Sequence, residues 1–417
     1  MKLVLSHLTG NANVKAAATG FRQANMLAEF HVSMATFPGS FLDRLGAIGP
    51  LSEVRRRSFD ASLKPFVRSW PAFEIGRLIA YKTQLSAFTK AGGFFNIDNV
   101  CQKLDKRVAS GLGRASKKGI SAVYGYEDVS QHSFLRAKEL GLLCLYDLPI
   151  GYWRTCHRLL DGEREKWPEW VATLPGFNDS KAKLARKDEE LKLADRIFVA
   201  SSFTASTLSD FPGKLANIEV IPYGFPTVSD FNRAYNNKHK KIRLLFVGSL
   251  SQRKGIAYLF EALKGLENYV ELTLVGAKTG GECAALDHEL SKHKWIPSLS
   301  HPEILKLMKE SDVFVFPSLF EGFGLVITEA MSQGTPVITT DRTAGPDLIE
   351  DGKNGWLIEA GSTEALKTAL EKIIAAPGII AENGKAAMAT AQNRPWSHYG
   401  HELAKAVAAV GKKAVHL

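Results

Sequence analysis

A chain of 417 residues is longer than one hydrophobic core comfortably serves, so two domains are expected. With 45% apolar and 23% charged residues it has the make-up of an ordinary soluble protein, and no stretch of some 18 uninterrupted apolar residues marks a transmembrane helix. The formal net charge of +10 lies wholly within residues 1–140, the remainder balancing to zero. A basic third of this kind attracts an anionic membrane surface, a phosphorylated acceptor or nucleic acid, unless it is simply a solvated helical face. No zinc finger or RNP-like module supports nucleic acid. Cys101, Cys144, Cys156 and Cys283 lack metal spacing, and so few thiols suit a reducing cytoplasm. The apolar run at the N-terminus is too short for a signal peptide and reads as a strand.

In chain order, Leu3–Leu8 is that strand. The loop Thr9-Gly10-Asn11 follows, then a helix predicted from Val14 to Phe30. Gly10 thus sits at a strand's carboxyl end, where open α/β sheets place ligands, although a plain turn is the alternative. Phe41–Leu51 reads as loop and Ala80–Lys90 as helix. Phe66, Trp70, Phe73, Phe88, Phe94 and Phe95 are interleaved there with Lys and Arg, as core or as a membrane interface. Ile120–Tyr126 is a strand ending at Glu127-Asp128, followed by a helix over Val129–Leu140. Leu142–Tyr146 is a strand ending at Asp147. Glu127 and Asp128 place carboxylates at a strand's carboxyl end; Asp128 as the next helix's N-cap is the other reading. Residues 151–193 read as charged and helical, and the alternating signs over Glu163–Glu169 read as a solvated face.

The second half opens with the strand Ile242–Gly248. Ser249 to Gly255 then carries Arg253 and Lys254 into a helix reaching Leu266. A glycine and a basic pair at a helix start make an anion site. Val270–Gly276 is a further strand. Val313–Phe316 is a strand apolar on both faces, ended by Pro317 and Ser318. Gly322 and Gly324 let the backbone turn and approach a ligand, and a helix runs from Leu325 to Gln333. The amides of Phe323, Gly324 and Leu325 form a second anion site, bracketed by Glu321 and Glu329. Pro336–Thr340 and Asn354–Ile358 are strands, and Thr363–Ile374 is a helix.

The phrase Phe316-Pro-Ser-x-x-Glu321-Gly-Phe-Gly-x-x-x-x-Glu329-Ala-Met-x-x-Gly-x-Pro-Val resembles the E-x7-E region of retaining, nucleotide-sugar-dependent glycosyltransferases of glycosyltransferase family 4. Asp195 to Ser201, Ile221-Pro-Tyr223-Gly and Gly345-Pro-Asp347 echo further family phrases, with Tyr223 where the family has Asn. The resemblance implies an α/β architecture of the GT-B type, two Rossmann-like α/β/α domains facing each other across a cleft. Residues 1–230 would bind the acceptor, 231–241 link, 242–394 bind the nucleotide sugar, and 395–417 cross back as a helix.

It further implies a catalytic set of Glu321, Lys254 and Arg253. Lys254 would meet the donor diphosphate, and Arg253 would stand in for the arginine that the family places at Ser249. Gly248, Ser249, Phe323, Gly324 and Leu325 would line the donor, Glu329 would hold its ribose, and Ile296 would sit by the base. Gly10, Glu127, Asp128 and Asp147 are acceptor-side candidates, where the family often has His. The donor is a nucleotide-diphosphate sugar, with no cofactor and no metal. The acceptor is lipid-linked, a polysaccharide or a small molecule, in envelope synthesis. The protein would be cytoplasmic and peripheral at the inner membrane face. Rival readings are another GT-B enzyme, an epimerase or phosphorylase, and a catalytically inactive sugar-nucleotide-binding or scaffold protein.

Overall fold

The structure, a computed structural model, describes residues 1–40, 57–83, 85–90, 93–174, 176–228, 233 and 241–414. The expected loop at Phe41–Leu51 and most of the expected linker therefore lie outside the described residues. Two parallel sheets organise the chain. The first has seven strands in the order β3-β2-β1-β4-β5-β6-β7. They are β1 (Leu3–Ser6), β2 (Leu27–Val32), β3 (Val67–Ser69), β4 (Ala122–Tyr126), β5 (Leu143–Leu148), β6 (Arg196–Val199) and β7 (Ile218–Val220). The second has six, in the order β10-β9-β8-β11-β12-β13. They are β8 (Ile242–Val247), β9 (Val270–Val275), β10 (Lys294–Ile296), β11 (Val313–Phe316), β12 (Val337–Thr340) and β13 (Gly355–Ile358). The central strands β1, β4, β11 and β12 are buried along their whole length, as parallel strands covered by helices on both faces must be. The strand order reverses between β1 and β4 and between β8 and β11, which is where such sheets hold ligands.

Sequence and structure part company in the first third. The helix expected over Val14–Phe30 stops at Gln23. Asn25 adopts a left-handed φ of 54°, and β2 follows, carrying Phe30. With no Gly or Pro at this turn, the sequence offers little sign of it; Asn tolerates the conformation better than most residues. The helix expected over Ala80–Lys90 lies earlier, at Pro71–Lys82, started by a proline in its first turn and followed by the short helix Ser86–Thr89. The long helix Ile97–Ser116, capped by the Asn96 side chain, went unread.

The helix Trp153–Lys166 and the 3-10 segment Pro168–Thr173 bridge the domains. At one end Thr155 donates to the Thr207 carbonyl of the first domain. At the other, Trp170 stacks on Phe260 and Trp167 meets Tyr258, both of the second. The final helix, Trp396–Ala414, returns to the first domain and packs on the helix Ala12–Gln23. Gly20 and Gly400 permit the closeness, since a Cβ on Gly20 would lie 2.0 Å from the Gly400 carbonyl. No helix among the described residues is long and apolar enough to cross a membrane.

Candidate active site

The site grows from the two neighbouring strands β8 and β11. After β8 the chain passes Gly248 and forms a 3-10 turn, Gln252–Lys254. Gly255, with φ of 71°, then starts the helix Ile256–Leu263. A Cβ there would lie 2.0 Å from the Pro317 carbonyl, so glycine is required by both conformation and space. After β11, Pro317 and Ser318 lead to Glu321, and Gly324, with φ of 88°, starts the helix Leu325–Ser332. Adjacent strands thus place two helix N-termini side by side, each presenting first-turn amides.

Glu321 is the meeting point. Arg253 Nη1 donates to Glu321 Oε1 at 2.8 Å and to the Phe320 carbonyl at 2.7 Å. Lys254 Nζ pairs with the same Glu321 oxygen, and Ser318 Oγ donates to it at 3.0 Å. Burial pushes the Glu321 carboxyl up, but Lys254 and Arg253 outweigh it and hold the group below the ordinary glutamate range. Burial in turn lowers the Lys254 ammonium, Glu321 opposing, and its Nζ also lies 4.7 Å from the centre of the Phe316 ring. Expected donor-side residues 248, 249 and 323–325 border this pair of helix mouths along the chain. Arg253 and Lys254 converge on one atom, so the chain brings a second cation to this point although position 249 is Ser.

Glu329 lies further along its helix, where His301 Nε2 meets its Oε1 at 3.1 Å. The contact holds the His301 pKa above the ordinary imidazole value. His301 opens the helix His301–Glu310, whose capping box Ser300–Glu303 is the sequence signal that could have located it. Ile296 ends β10, its carbonyl accepting from Gly276 N–H at 2.9 Å, while Trp295 Nε1 donates to the Gly276 carbonyl at 2.9 Å.

Across the cleft the first domain departs from expectation. Gly10 has φ of 72°, and its amide donates to His7 Nδ1 at 2.9 Å, as does Thr9 N–H at 3.0 Å. His7 is therefore held neutral with its proton on Nε2, burial pushing its pKa down to about 4. It directly follows β1, a place the sequence reading assigned to no one. Glu127 pairs with Lys187 Nζ at 3.1 Å, and burial pushes its carboxyl up to about 7. Asp128, with φ of 72°, lies 3.7 Å from Lys183 Nζ and 3.5 Å from Arg186 Nη2, and does not cap the next helix. That cap is shared by Glu190, which accepts from the amides of Asp128, Ser130 and Gln131, and Asp105, which accepts from those of His132 and Ser133. Asp147, expected on the acceptor side, is only 3% exposed and accepts from Tyr124 OH at 2.7 Å. Its carboxylate lies under the tyrosines, and burial pushes it up to about 7.

The first domain also closes on the Glu321 loop. Ser201 Oγ and Thr204 Oγ1 donate to the Gly322 carbonyl at 2.7 and 2.8 Å. Ser202 N–H donates to Asp347 Oδ2 at 2.8 Å. Thr173 Oγ1 accepts from Gln252 N–H at 2.9 Å, which steadies the turn carrying Arg253 and Lys254. Tyr223 fills the junction: its ring lies 4.8 Å from Phe323 and 5.2 Å from Tyr399, and its hydroxyl accepts from Asn13. This explains a bulky aromatic where the family phrase has Asn.

Residues 228–393 match the family described as Glycosyl transferases group 1. The second domain belongs to this family. A curated relative, the D-inositol 3-phosphate glycosyltransferase of Arthrobacter sp. (strain FB24), is 28% identical over 237 residues, covering 51% of this chain and 55% of that protein. The chain spans about half the length of the curated relatives it matches first. Solved structures are similar over its whole length. Sucrose-phosphate synthase from Thermosynechococcus elongatus aligns with a TM-score of 0.63 at 17% identity, covering 99% of this chain and 100% of that one. HepE of Anabaena, in complex with UDP and glucose, aligns with a TM-score of 0.60 at 18% identity, covering 98% and 100%. The fold is GT-B, in agreement with the sequence expectation.

Proposed function

We propose that the protein transfers a glycosyl group from a nucleotide-diphosphate sugar to an acceptor hydroxyl, with retention at the anomeric carbon. The observation that carries this reading is the convergence of Arg253 and Lys254 on Glu321 between two helix N-termini. In the reaction the bond between the anomeric carbon and the diphosphate oxygen breaks, and its electron pair leaves with the diphosphate. The acceptor oxygen bonds to that carbon and its proton passes to a diphosphate oxygen. Arg253, Lys254 and the amides of Phe323–Leu325 neutralise the leaving charge by preorganised electrostatics, without a metal. Glu321, released from the cations as they turn to the diphosphate, accepts from the donor sugar's hydroxyls. Glu329 accepts from the ribose diol, and closure by Ser201, Thr204 and Ser202 excludes water.

The acceptor enters beside His7, Gly10 and Glu127, and the reading places its chemistry in envelope polysaccharide or glycolipid synthesis at the inner membrane face. A thermal-shift screen of UDP-, GDP- and ADP-sugars tests the donor, and nucleoside diphosphate release with an acceptor tests turnover. Nuclear magnetic resonance of the product's anomeric proton tests retention. Stabilisation by no sugar nucleotide would remove the reading.

A further inference from the structure

Fifteen large hydrophobic side chains are exposed among the described residues, and nine of them fall between Trp70 and Ile97. Ile79, Tyr81, Leu85 and Phe94 are the barest of these nine, Tyr81 at 73%. The same stretch contributes to an apolar groove of about 560 Å³ between the helices Pro71–Lys82 and Ile97–Ser116, lined by Trp70, Phe73, Val100 and Leu104. The groove runs into a second pocket, of about 430 Å³, where Arg68, Arg107, Arg114 and Lys118 converge. Trp70, Arg107 and Ser110 line both. Cations and rings alternate: Arg107 lies 4.2 Å above Trp70, and Lys103 lies 3.8 Å from Phe73 and 3.4 Å from Phe94.

The acids of these elements are spent elsewhere. Glu74 is buried under Arg57 and Arg77, Asp98 pairs with Arg186, and Asp105 accepts from the amides of His132 and Ser133. Glu29, which does line the basic pocket, is bonded to His31. What remains facing outward is positive and apolar together, the composition that suits a phosphate-bearing lipid surface.

We propose that this edge of the first sheet docks on an anionic lipid bilayer, the aromatic side chains entering the interface and Arg68, Arg107, Arg114 and Lys118 meeting lipid phosphates. Ser33 and Trp70 adjoin the carboxyl ends of β2 and β3, the end of the sheet that also carries His7 and Glu127. A docked bilayer therefore meets the cleft on its acceptor side. The inference extends the function proposed above and rests on it only for the lipid-linked acceptor.

The test is cosedimentation of the full chain with vesicles of phosphatidylcholine alone and of phosphatidylcholine with phosphatidylglycerol. Binding is expected on the anionic vesicles only, falling as salt rises. Ile79→Ser with Phe88→Ser, and separately Arg114→Glu with Lys118→Glu, should each lower the bound fraction by at least about fivefold, with the thermal shift by nucleotide sugar unchanged. No binding to anionic vesicles, or equal binding by both variants, overturns the proposal. So does a concentration-dependent dimer abolished by Ile79→Ser with Phe88→Ser, which would make the face a self-association surface. Wild-type protein that binds vesicles but responds to no sugar nucleotide would instead sink the donor reading and leave this one standing.

Discussion

Glu321 takes three donors on a single carboxylate oxygen, and two of them are cations. This matters because the two charges are already gathered at one point, so an arriving diphosphate has to draw both from a single carboxylate oxygen. Lys254→Ala is expected to lower turnover roughly a hundredfold, about 3 kcal/mol, with a smaller effect on donor affinity, read by steady-state kinetics. Glu329→Ala is expected to do the reverse, weakening donor binding in a calorimetric titration while Lys254→Ala binds donor nearly as well. Unchanged nucleotide affinity in Glu329→Ala would remove its ribose role. The two glutamates were readable because they share one loop and one helix turn. His301 and Lys187 were not, because each reaches its partner, Glu329 or Glu127, from an element distant in sequence.

Asp147 carries a prediction of another kind. Its folded pKa of about 7 exceeds the ordinary 3.8, so the folded chain keeps a proton that the unfolded chain has lost. Stability from this group is complete below the unfolded value and is lost as pH rises from about 4 through 7, on the order of 4 kcal/mol. Asp147→Asn should flatten that part of a stability-against-pH curve measured by urea unfolding; an identical slope would show that the carboxyl is charged when folded.

Among the elements, the helix Gln131–Glu139 shows a cap supplied from outside. Its own N-cap residue, Ser130, makes no side-chain cap; Glu190, 60 residues on, takes the amides of Ser130 and Gln131, and Asp105 takes those of His132 and Ser133. Glu190→Ala leaves several buried donors unsatisfied and should cost at least about 2 kcal/mol in chemical denaturation, where a solvated helix glutamate would cost almost nothing. No local pattern announces such a cap. The alternation of charges over Glu163–Glu169 reads as a surface face, yet Glu163 is buried. The second sheet was more legible: apart from β10, which was missed, its strands are short, largely apolar runs punctuated by Gly248, Gly276, Pro317 and Gly334. The first third lacks such punctuation, and so β2 and the helix Ile97–Ser116 were lost.

At the scale of the whole molecule, closure depends on Gly322. A Cβ there would lie 2.0 Å from the Pro149 carbonyl and 2.6 Å from Ile150 Cα, both in the other domain. Gly322→Ala should leave each domain folded but keep them from closing, so small-angle scattering should give a larger radius of gyration and turnover should fall at least about tenfold. Chelation offers a second measurement: EDTA should leave turnover unchanged, since the diphosphate's charge is met by Arg253, Lys254 and backbone amides.

The chain passes between its two lobes three times: along Trp153–Thr173, through the residues between Val228 and Lys241, and again at Arg394, which grips the Pro222 carbonyl. A protease site engineered into the middle passage should therefore yield two fragments that still travel as one particle in gel filtration. Neither fragment is a self-sufficient module: the earlier one would lack the returning helix under which Gly20 lies, the later one the cover that Trp167 and Trp170 provide.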